Sequence, residues 1–378
     1  MNRVMIVGGG FAGLAALQKL AGLKLKLKIS LIDKRKQAHF LPMLPDVLGR
    51  GITTDSLSYN LADLCKKLKV EFVNAEVVSV DLEKRQLITR QQALEYDYLL
   101  LAAGSSTNFY GQEQIENAAY KLDSLQDARQ IFQAVEANTF DTFIIAGAGY
   151  TGIEVATNLR RYFDKNKLSK RIIIVELSSQ LLGPLPDWMK SYVAGNLKSL
   201  NIETRFNAKI ASIENQKVYL SGQEDFEPAM LIWTAGVKTA DFIAKLNLPQ
   251  SRQGRLKVDD YLRVRPNCFA AGDAAEFSYQ GASPLRMAIQ FALAQGRAAA
   301  INILRQIQNR PLQKYRPRDY GYVIPMANNK SCGIILGANL RGCLPTLMHY
   351  LMCIYRSFSV QNKLSIIKQL SDASPRRK

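Results

Sequence analysis

An α/β fold made of two similar halves is what this sequence predicts, on three observations. A strand–glycine turn–helix plan occurs twice, at "VMIVGGGFAGLAALQKL" (residues 4–20) and "IIAGAGYTGIEVATNL" (residues 144–159). Each copy is followed by a strand ending in an acid, Asp33 after "LKISLI" and Glu176 after "RIIIV". Each half then closes on an apolar strand running into Ala-Gly: Ala103-Gly104 in "YDYLLLAAGS" and Ala235-Gly236 in "LIWTAGV". Two copies of one plan read as a duplication, and the length suits about two to three domains.

The elements follow in order. Strand "RVMIVG" leads to a helix over 11–21, with Gly22 as its stop signal. The alternation in "LKLKLK" suits the start of a strand with one wet face. A helix is expected around 56–68, then a small antiparallel meander in "EFVNAEVVSVDL" and "RQLITRQ". In the second half a helix should run to about Phe163, with short strands near 202–220. "CFAAGDA" leads to a helix of about twenty residues, "PLRMAIQFALAQGRAAAINILRQI". From Arg310 the chain changes character, to Pro, Tyr and basic residues followed by short apolar stretches.

The glycine turns carry the chemistry. The first reads Gly8-x-Gly10-x-x-Gly13, with Asp33 twenty residues beyond the last glycine. Gly8 permits the tight turn, Gly10 lets backbone amides approach a pyrophosphate, and Gly13 permits close helix–strand packing. The helix N-terminus presents its positive dipole end, and the acid accepts from ribose hydroxyls. The second turn, Gly147-x-Gly149-x-x-Gly152 with Glu176, meets the same requirements. After Glu176 come "LSSQ", with no cation to receive a 2′-phosphate, so NADH is favoured over NADPH. The competing reading of each turn is a purely structural one.

Two Rossmann-like dinucleotide-binding domains in one chain suit a flavin and a nicotinamide, between which a hydride can pass. A strand ending in Ala-Gly-Asp would set Gly272 and Asp273 beside a ribityl chain; the alternative for Asp273 is an ordinary helix N-cap.

Composition narrows the field. Charge is strongly basic, 50 Lys+Arg against 32 Asp+Glu, and from Arg310 onward twelve Lys/Arg face two acids. Such a balance points to solubility, an anionic membrane surface or nucleic acid. No zinc-finger spacing, aromatic RNA-binding signature or basic heptad helix accompanies it, so nucleic acid is set aside. Cys65, Cys268, Cys332, Cys343 and Cys353 form no CxxC pair and read as reduced packing residues. With only His39 and His349 beside them, no metal site is expected. No apolar run is long enough to span a bilayer. The N-terminus enters a strand at once, leaving no room for a signal or transit peptide and making the cytoplasm the default.

Together these residues resemble the flavoprotein pyridine-nucleotide oxidoreductases and, within them, the type II NADH dehydrogenases (NADH:quinone oxidoreductases). The general signature is "VGGGFAG" with Asp33, "YDYLLLAAGSSTNFYG", "GAGYTGIE" with Glu176, and "FAAGDAA". "LIWTAGVK", the extension to Glu154 and the C-terminal tail are more specific. The resemblance covers nearly the whole chain and implies tightly but non-covalently held FAD on the first cradle and NADH as substrate on the second. It places Ala103, Gly104, Gly272 and Asp273 with the first cradle and Ala235 and Gly236 with the second. Glu154 would lie near the stacked nicotinamide and flavin. Gln290 and Gln295 match glutamines that line the quinone site, but Ala294 stands where the first glutamine of the family's pair belongs. Disulfide reductases and sulfide:quinone reductases need cysteines in arrangements not visible here.

The resulting division is a discontinuous FAD domain (1–112 and 254–325), an NADH domain (113–253) and a C-terminal segment (326–378) for membrane association or dimerisation. In that segment "LPTLMHYLMCIYRSF" is apolar but too short to span. Val360, Leu364 and Ile367 then form a stripe with Lys363 and Lys368 off it, and "PRRK" follows. The competing uses of this segment are a homodimer contact and a helix covering the core. The reading is an FAD-dependent, non-proton-pumping oxidoreductase that passes a hydride from NADH to FAD and two electrons to a membrane quinone. It would sit peripherally on the cytoplasmic face. The alternatives are an NADH-dependent reductase of a small iron–sulfur protein and a redox-inert, nucleotide-sensing flavoprotein.

Overall fold

The computed structural model describes residues 1–22, 26–222 and 225–372. The start of "LKLKLK" (residues 23–25) and the terminal "PRRK" lie outside the described residues. The chain forms two compact units: 1–38, 59–106 and 237–319 make the first; 39–58, 107–236 and 320–378 make the second.

The first unit is built on a six-stranded sheet in the order Arg263–Arg265, Cys268–Ala270, Tyr98–Leu101, Asn2–Val7, Leu27–Asp33, Glu71–Asn74. All neighbours are parallel except the first pair. Its central strands are continuous apolar runs because helices or loops cover both faces. Leu99, Leu100, Leu101, Phe269 and Ala270 are fully buried. Helix Phe11–Ala21 lies against helix Ile289–Ile307, and a β-carbon on Gly296 would come within 2.1 Å of the Ala12 carbonyl oxygen. That near backbone contact sets how closely the two helices approach. The expected meander is present in part, as Val77–Asp81, Gln86–Thr89 and Ala93–Glu95, all antiparallel, while its first segment, Glu71–Asn74, pairs parallel with Leu27–Asp33 instead.

Two helix starts differ from the sequence reading. The helix expected around 56–68 runs Leu61–Leu68, because Asn60 caps it by accepting from Asp63 N–H at 3.0 Å. Residues Thr54–Leu57 form a 3₁₀ turn instead. The long helix after "CFAAGDA" starts only at Ile289.

The second unit repeats the plan in a four-stranded parallel sheet, ordered Glu203–Arg205, Arg171–Val175, Thr142–Ala146, Ala229–Trp233. Its main core gathers Phe143, Ile145, Leu159, Phe163, Ile172 and Ile174 with Met189, Val193 and Leu197 of helix Asp187–Ser199. The C-terminal stretch belongs to this unit. It forms an antiparallel sheet of Gly321–Ile324, Ser331–Ile335 and Ala338–Gly342, then helices Cys343–Arg356 and Val360–Asp372. The sheet was not foreseen, since "ANLRG" lacks the apolar alternation of a half-buried strand.

Candidate functional site

In the first unit, strand Asn2–Val7 ends in a turn with Gly8 at φ +107°, and helix Phe11–Ala21 begins at Gly10 without a side-chain cap. A β-carbon on Gly13 would stand 1.9 Å from the Gly8 carbonyl oxygen, so only glycine allows this helix to pack on its turn. A β-carbon on Gly10 would meet nothing within 4 Å. That open side, at an uncapped helix N-terminus, has the shape and polarity a pyrophosphate needs. The Asp33 carboxylate, 6% exposed, accepts from Gly9 N–H at 2.7 Å and from Arg35 N–H at 2.8 Å. The acid therefore braces the turn besides ending the strand.

The second unit reproduces this arrangement. Gly147 has φ +102°, and helix Tyr150–Lys165 begins at Gly149, again uncapped by a side chain. A β-carbon on Gly152 would lie 2.0 Å from the Gly147 carbonyl oxygen, and one on Gly149 would meet nothing within 4 Å. Glu176 Oε2 accepts from Ala148 N–H at 2.8 Å, the counterpart of Asp33 with Gly9. Its other oxygen accepts from the Ser178 N–H and hydroxyl, both at 2.9 Å. The closing pairs back the turns. Ala103 Cα would be 2.9 Å from a β-carbon on Gly8, and Ala235 Cα 3.1 Å from one on Gly147. Gly104 and Gly236 follow them at φ +73° and +85°.

Gly272 and Asp273 lie in a 3₁₀ turn, Gly272–Ala274, after strand Cys268–Ala270. Asp273 caps no helix; its carboxylate accepts from the Ser105 hydroxyl at 2.8 Å. Burial raises the pKa of this carboxyl, while Ser105 and then Arg255 draw it back. Gln295, 1% exposed, accepts from Gly272 N–H at 2.8 Å through Oε1, so it holds this turn. Gln290 donates to Asp319 Oδ1 at 3.0 Å, beside the Arg286–Asp319 pair. Replacing Gln295 by alanine strands a buried N–H and is expected to cost about 1–3 kcal/mol. A melting temperature unchanged from the parent protein would show that this bond contributes nothing.

Glu154 sits on helix Tyr150–Lys165, one turn after the second glycine cradle. Burial, and then the charge of Asp46, push its carboxyl well above the usual carboxylate range. Sequence reading missed the residues around it. Asp46, on helix Leu44–Gly49, is 5% exposed and accepts from the Tyr350 hydroxyl at 2.7 Å. Arg50 lies 3.3 Å from Asp46 and 4.8 Å from the Tyr350 ring centre, and donates to Ala327 O and Asn329 Oδ1. Arg161 donates to the same Ala327 carbonyl. Burial, with Arg50 adding, lowers the pKa of His349 to about 4, leaving it neutral, and its Nε2 lies 3.6 Å from Cys353 Sγ. The available signal was a lone acid in the apolar run "LPMLPDVLGR", with an arginine four residues on.

All five cysteines are free, and only Cys343 is exposed. Burial drives the thiol pKa of Cys65 up to about 11 and those of Cys268 and Cys332 to about 12, so none of these three is a thiolate at neutral pH.

The two C-terminal helices turn apolar faces outward. Leu344, Leu347, Leu351 and Tyr355 on the first are 50–74% exposed, while Thr346, Tyr350 and Cys353 are buried. On the second, Val360, Leu364 and Ile367 are 72%, 63% and 44% exposed. Its attachment is largely polar: Asn362 donates to Ser56 O and Ser58 O, and Gln369 donates to Thr53 and Ser56 hydroxyls. The predicted stripe is therefore the outer face, while Asn362 and Ile366 on the opposite face are buried. Among the described residues no helix is long and apolar enough to cross a membrane.

Known proteins are similar to this chain in sequence and fold. The chain is 27% identical to the demethylphylloquinone reductase NdbB of Synechocystis sp., over 96% of this chain and 94% of that protein. It is 25% identical to the type II NADH:quinone oxidoreductase of Staphylococcus haemolyticus, over 90% of this chain and 91% of that one. Its fold superposes on NDH2 from Plasmodium falciparum, solved in complex with NADH, with a TM-score of 0.87 at 17% identity over 98% of both chains. Residues 2–296, which contain both cradles and both bracing acids, match a single family along their whole length, and the chain belongs to it: the pyridine nucleotide-disulphide oxidoreductases.

Proposed function

We propose that this chain is an FAD-dependent NADH:quinone oxidoreductase attached to the membrane surface. The observation that carries the reading is the pair of cradles, alike in turn, open helix N-terminus and bracing acid. The names of the relatives, a demethylphylloquinone reductase and a type II NADH:quinone oxidoreductase, support a quinone as acceptor. The outward apolar faces of the last two helices support a lipid surface, where such an acceptor resides.

FAD, when bound on the first cradle, supplies the two-electron acceptor for a hydride from NADH. The chain's own part is binding and charge placement. Backbone amides at Gly10 and the helix behind them would receive the FAD pyrophosphate, Asp33 the adenosine ribose and Asp273 the ribityl hydroxyls. Gly149 and its helix would do the same for NADH. The Glu176 carboxylate pairs with two ribose hydroxyls and repels a 2′-phosphate. Burial, and then the charge of Asp46, raise the pKa of Glu154, which favours its protonated form beside the nucleotide cradle.

The test is turnover. The purified protein is expected to be yellow, with one FAD per chain, to bleach anaerobically with NADH much faster than with NADPH, and to regain colour with a soluble quinone. Glu176→Ala should weaken NADH recognition by about 1–3 kcal/mol, since charged hydrogen bonds go unmade. Equal bleaching by both nucleotides would refute the specificity, and bleached protein that no quinone reoxidises would refute the acceptor.

A further inference from the structure

A cleft of about 680 Å³ in the first unit is lined by none of the cradle residues. One wall is the middle of helix Ile289–Ile307, where Ala294, Arg297, Ala298 and Ile301 share one helical face. The other is residues 312–316, a stretch without helix or strand that packing nonetheless fixes. Fully buried Asn302 grips Gln313 twice, donating to its carbonyl oxygen at 2.9 Å and accepting from its N–H at 2.8 Å. Tyr315 N–H donates to the Asp260 carbonyl at 2.7 Å, and the Tyr315 ring meets Phe277 edge-on with centroids 5.0 Å apart. The cleft is therefore preformed and of ligand size, so an occupant need not order it. Its lining combines apolar Ala294, Ala298, Ile301 and Leu312 with cationic Arg297, Lys314 and Arg316. Lys314 is paired with Asp260 at 2.7 Å. Among the described residues, Arg297 and Arg316 have no acid partner, and no acid lines the cleft. A guanidinium pairs with phosphate through parallel N–H donors, so two uncommitted ones at one cleft select that group. The apolar lining does nothing for a free ion and suits a phosphate carried on a hydrocarbon body.

We propose that this cleft binds an anionic phospholipid, its phosphate on Arg297 and Arg316 and its glycerol and first acyl carbons against Ala298, Ile301 and Leu312. The site uses none of the residues that serve either dinucleotide. The inference rests on the membrane part of the proposed function, which brings the chain to lipid, and not on the acceptor. Apolar helix faces partition into any bilayer, whereas a phosphate cleft chooses among headgroups. Ala294 belongs to the apolar lining, and a glutamine there would set an amide among the hydrocarbon contacts.

The experiment is a calorimetric titration of the full-length, FAD-loaded protein, with NAD+ present so that neither cradle is open to phosphate. The probe is dihexanoyl phosphatidylglycerol below its micelle concentration. Saturable binding is expected, weakened by about tenfold or more in the double variant Arg297→Gln/Arg316→Gln. Arg252→Gln/Arg310→Gln removes the same charge from two exposed arginines outside the cleft, and should hold the affinity within about twofold of the parent value. Equal weakening by the two pairs would overturn the site and leave only a diffuse basic surface. Parent protein that shows no saturable binding would overturn it too. Should the cleft pair melt early, Arg297→Gln alone decides, and an unmoved affinity there overturns the site equally. Glycerol 3-phosphate and inorganic phosphate identify the source: either one binding as tightly as the lipid would overturn the lipid assignment, since the apolar lining would then contribute nothing. Co-sedimentation with phosphatidylglycerol vesicles reads membrane attachment separately. Protein that binds the short-chain lipid but not the vesicles would sink the attachment and support the cleft as a phospholipid site.

Discussion

Gly149→Ala should leave the second unit folded and slow NADH-driven flavin bleaching by about 100-fold or more, the usual size of an effect that displaces a bound reactant by roughly an ångström. The backbone there is ordinary, with φ −81°, and a β-carbon would meet no protein atom within 4 Å. It would instead occupy the open side of the turn, against the amides a pyrophosphate needs. Gly152→Ala makes the contrasting case. Its β-carbon would fall 2.0 Å from the Gly147 carbonyl oxygen and 3.0 Å from Thr234 Oγ1, so the helix must withdraw from the sheet. That variant should lose stability by about 1–3 kcal/mol or more, as overpacked sites do. Stopped-flow bleaching and thermal melting separate the two effects. Normal bleaching in Gly149→Ala would mean that the nucleotide does not lie on this turn.

Introducing aspartate at Leu347 and Leu351 together should abolish attachment to anionic vesicles while the fold persists. The two side chains are 56% and 55% exposed, opposite the buried Tyr350 and Cys353, so little packing is lost. In lipid each would contribute about 1.5–3 kcal/mol, and losing both corresponds to a fall in partitioning of about 100-fold or more. Vesicle co-sedimentation at low salt reads this directly. Parent protein that stays in the supernatant under those conditions would remove the anchor from the proposal. Truncation after Pro325 is a poorer test. It also strips Asn329 from Arg50, Tyr350 from Asp46 and Asn362 from the carbonyls of Ser56 and Ser58.

The cradles were legible in the sequence because backbone geometry leaves little choice. A turn that must pass under a helix needs glycine at fixed spacing, and the bracing acid must end the adjacent strand. Helix starts were less legible: Asn60 is one of several capping candidates between Thr53 and Asn60, and only the packed structure selects it. Asp46 and Tyr350 were not legible as a pair at all. They lie 304 residues apart, and neither carries a local motif that names the other. The division into units was also partly hidden. Residues 39–58 return to the second unit because Leu48 is buried in its core, a partnership made by packing and not by spacing.

The interleaving of the two units sets an order of assembly. The second unit's parallel sheet draws all four strands from one stretch, residues 142–233, and can pair as that stretch is synthesised. Strand Tyr98–Leu101 of the first unit must wait for Cys268–Ala270 before its outer edge is covered. For the whole of that interval an apolar strand carries unpaired amides and carbonyls, the condition under which nascent chains pair with the wrong neighbour. Synthesis rate and chaperone supply therefore bear on the yield of this protein chiefly between residues 101 and 268, before the first unit's sheet is complete.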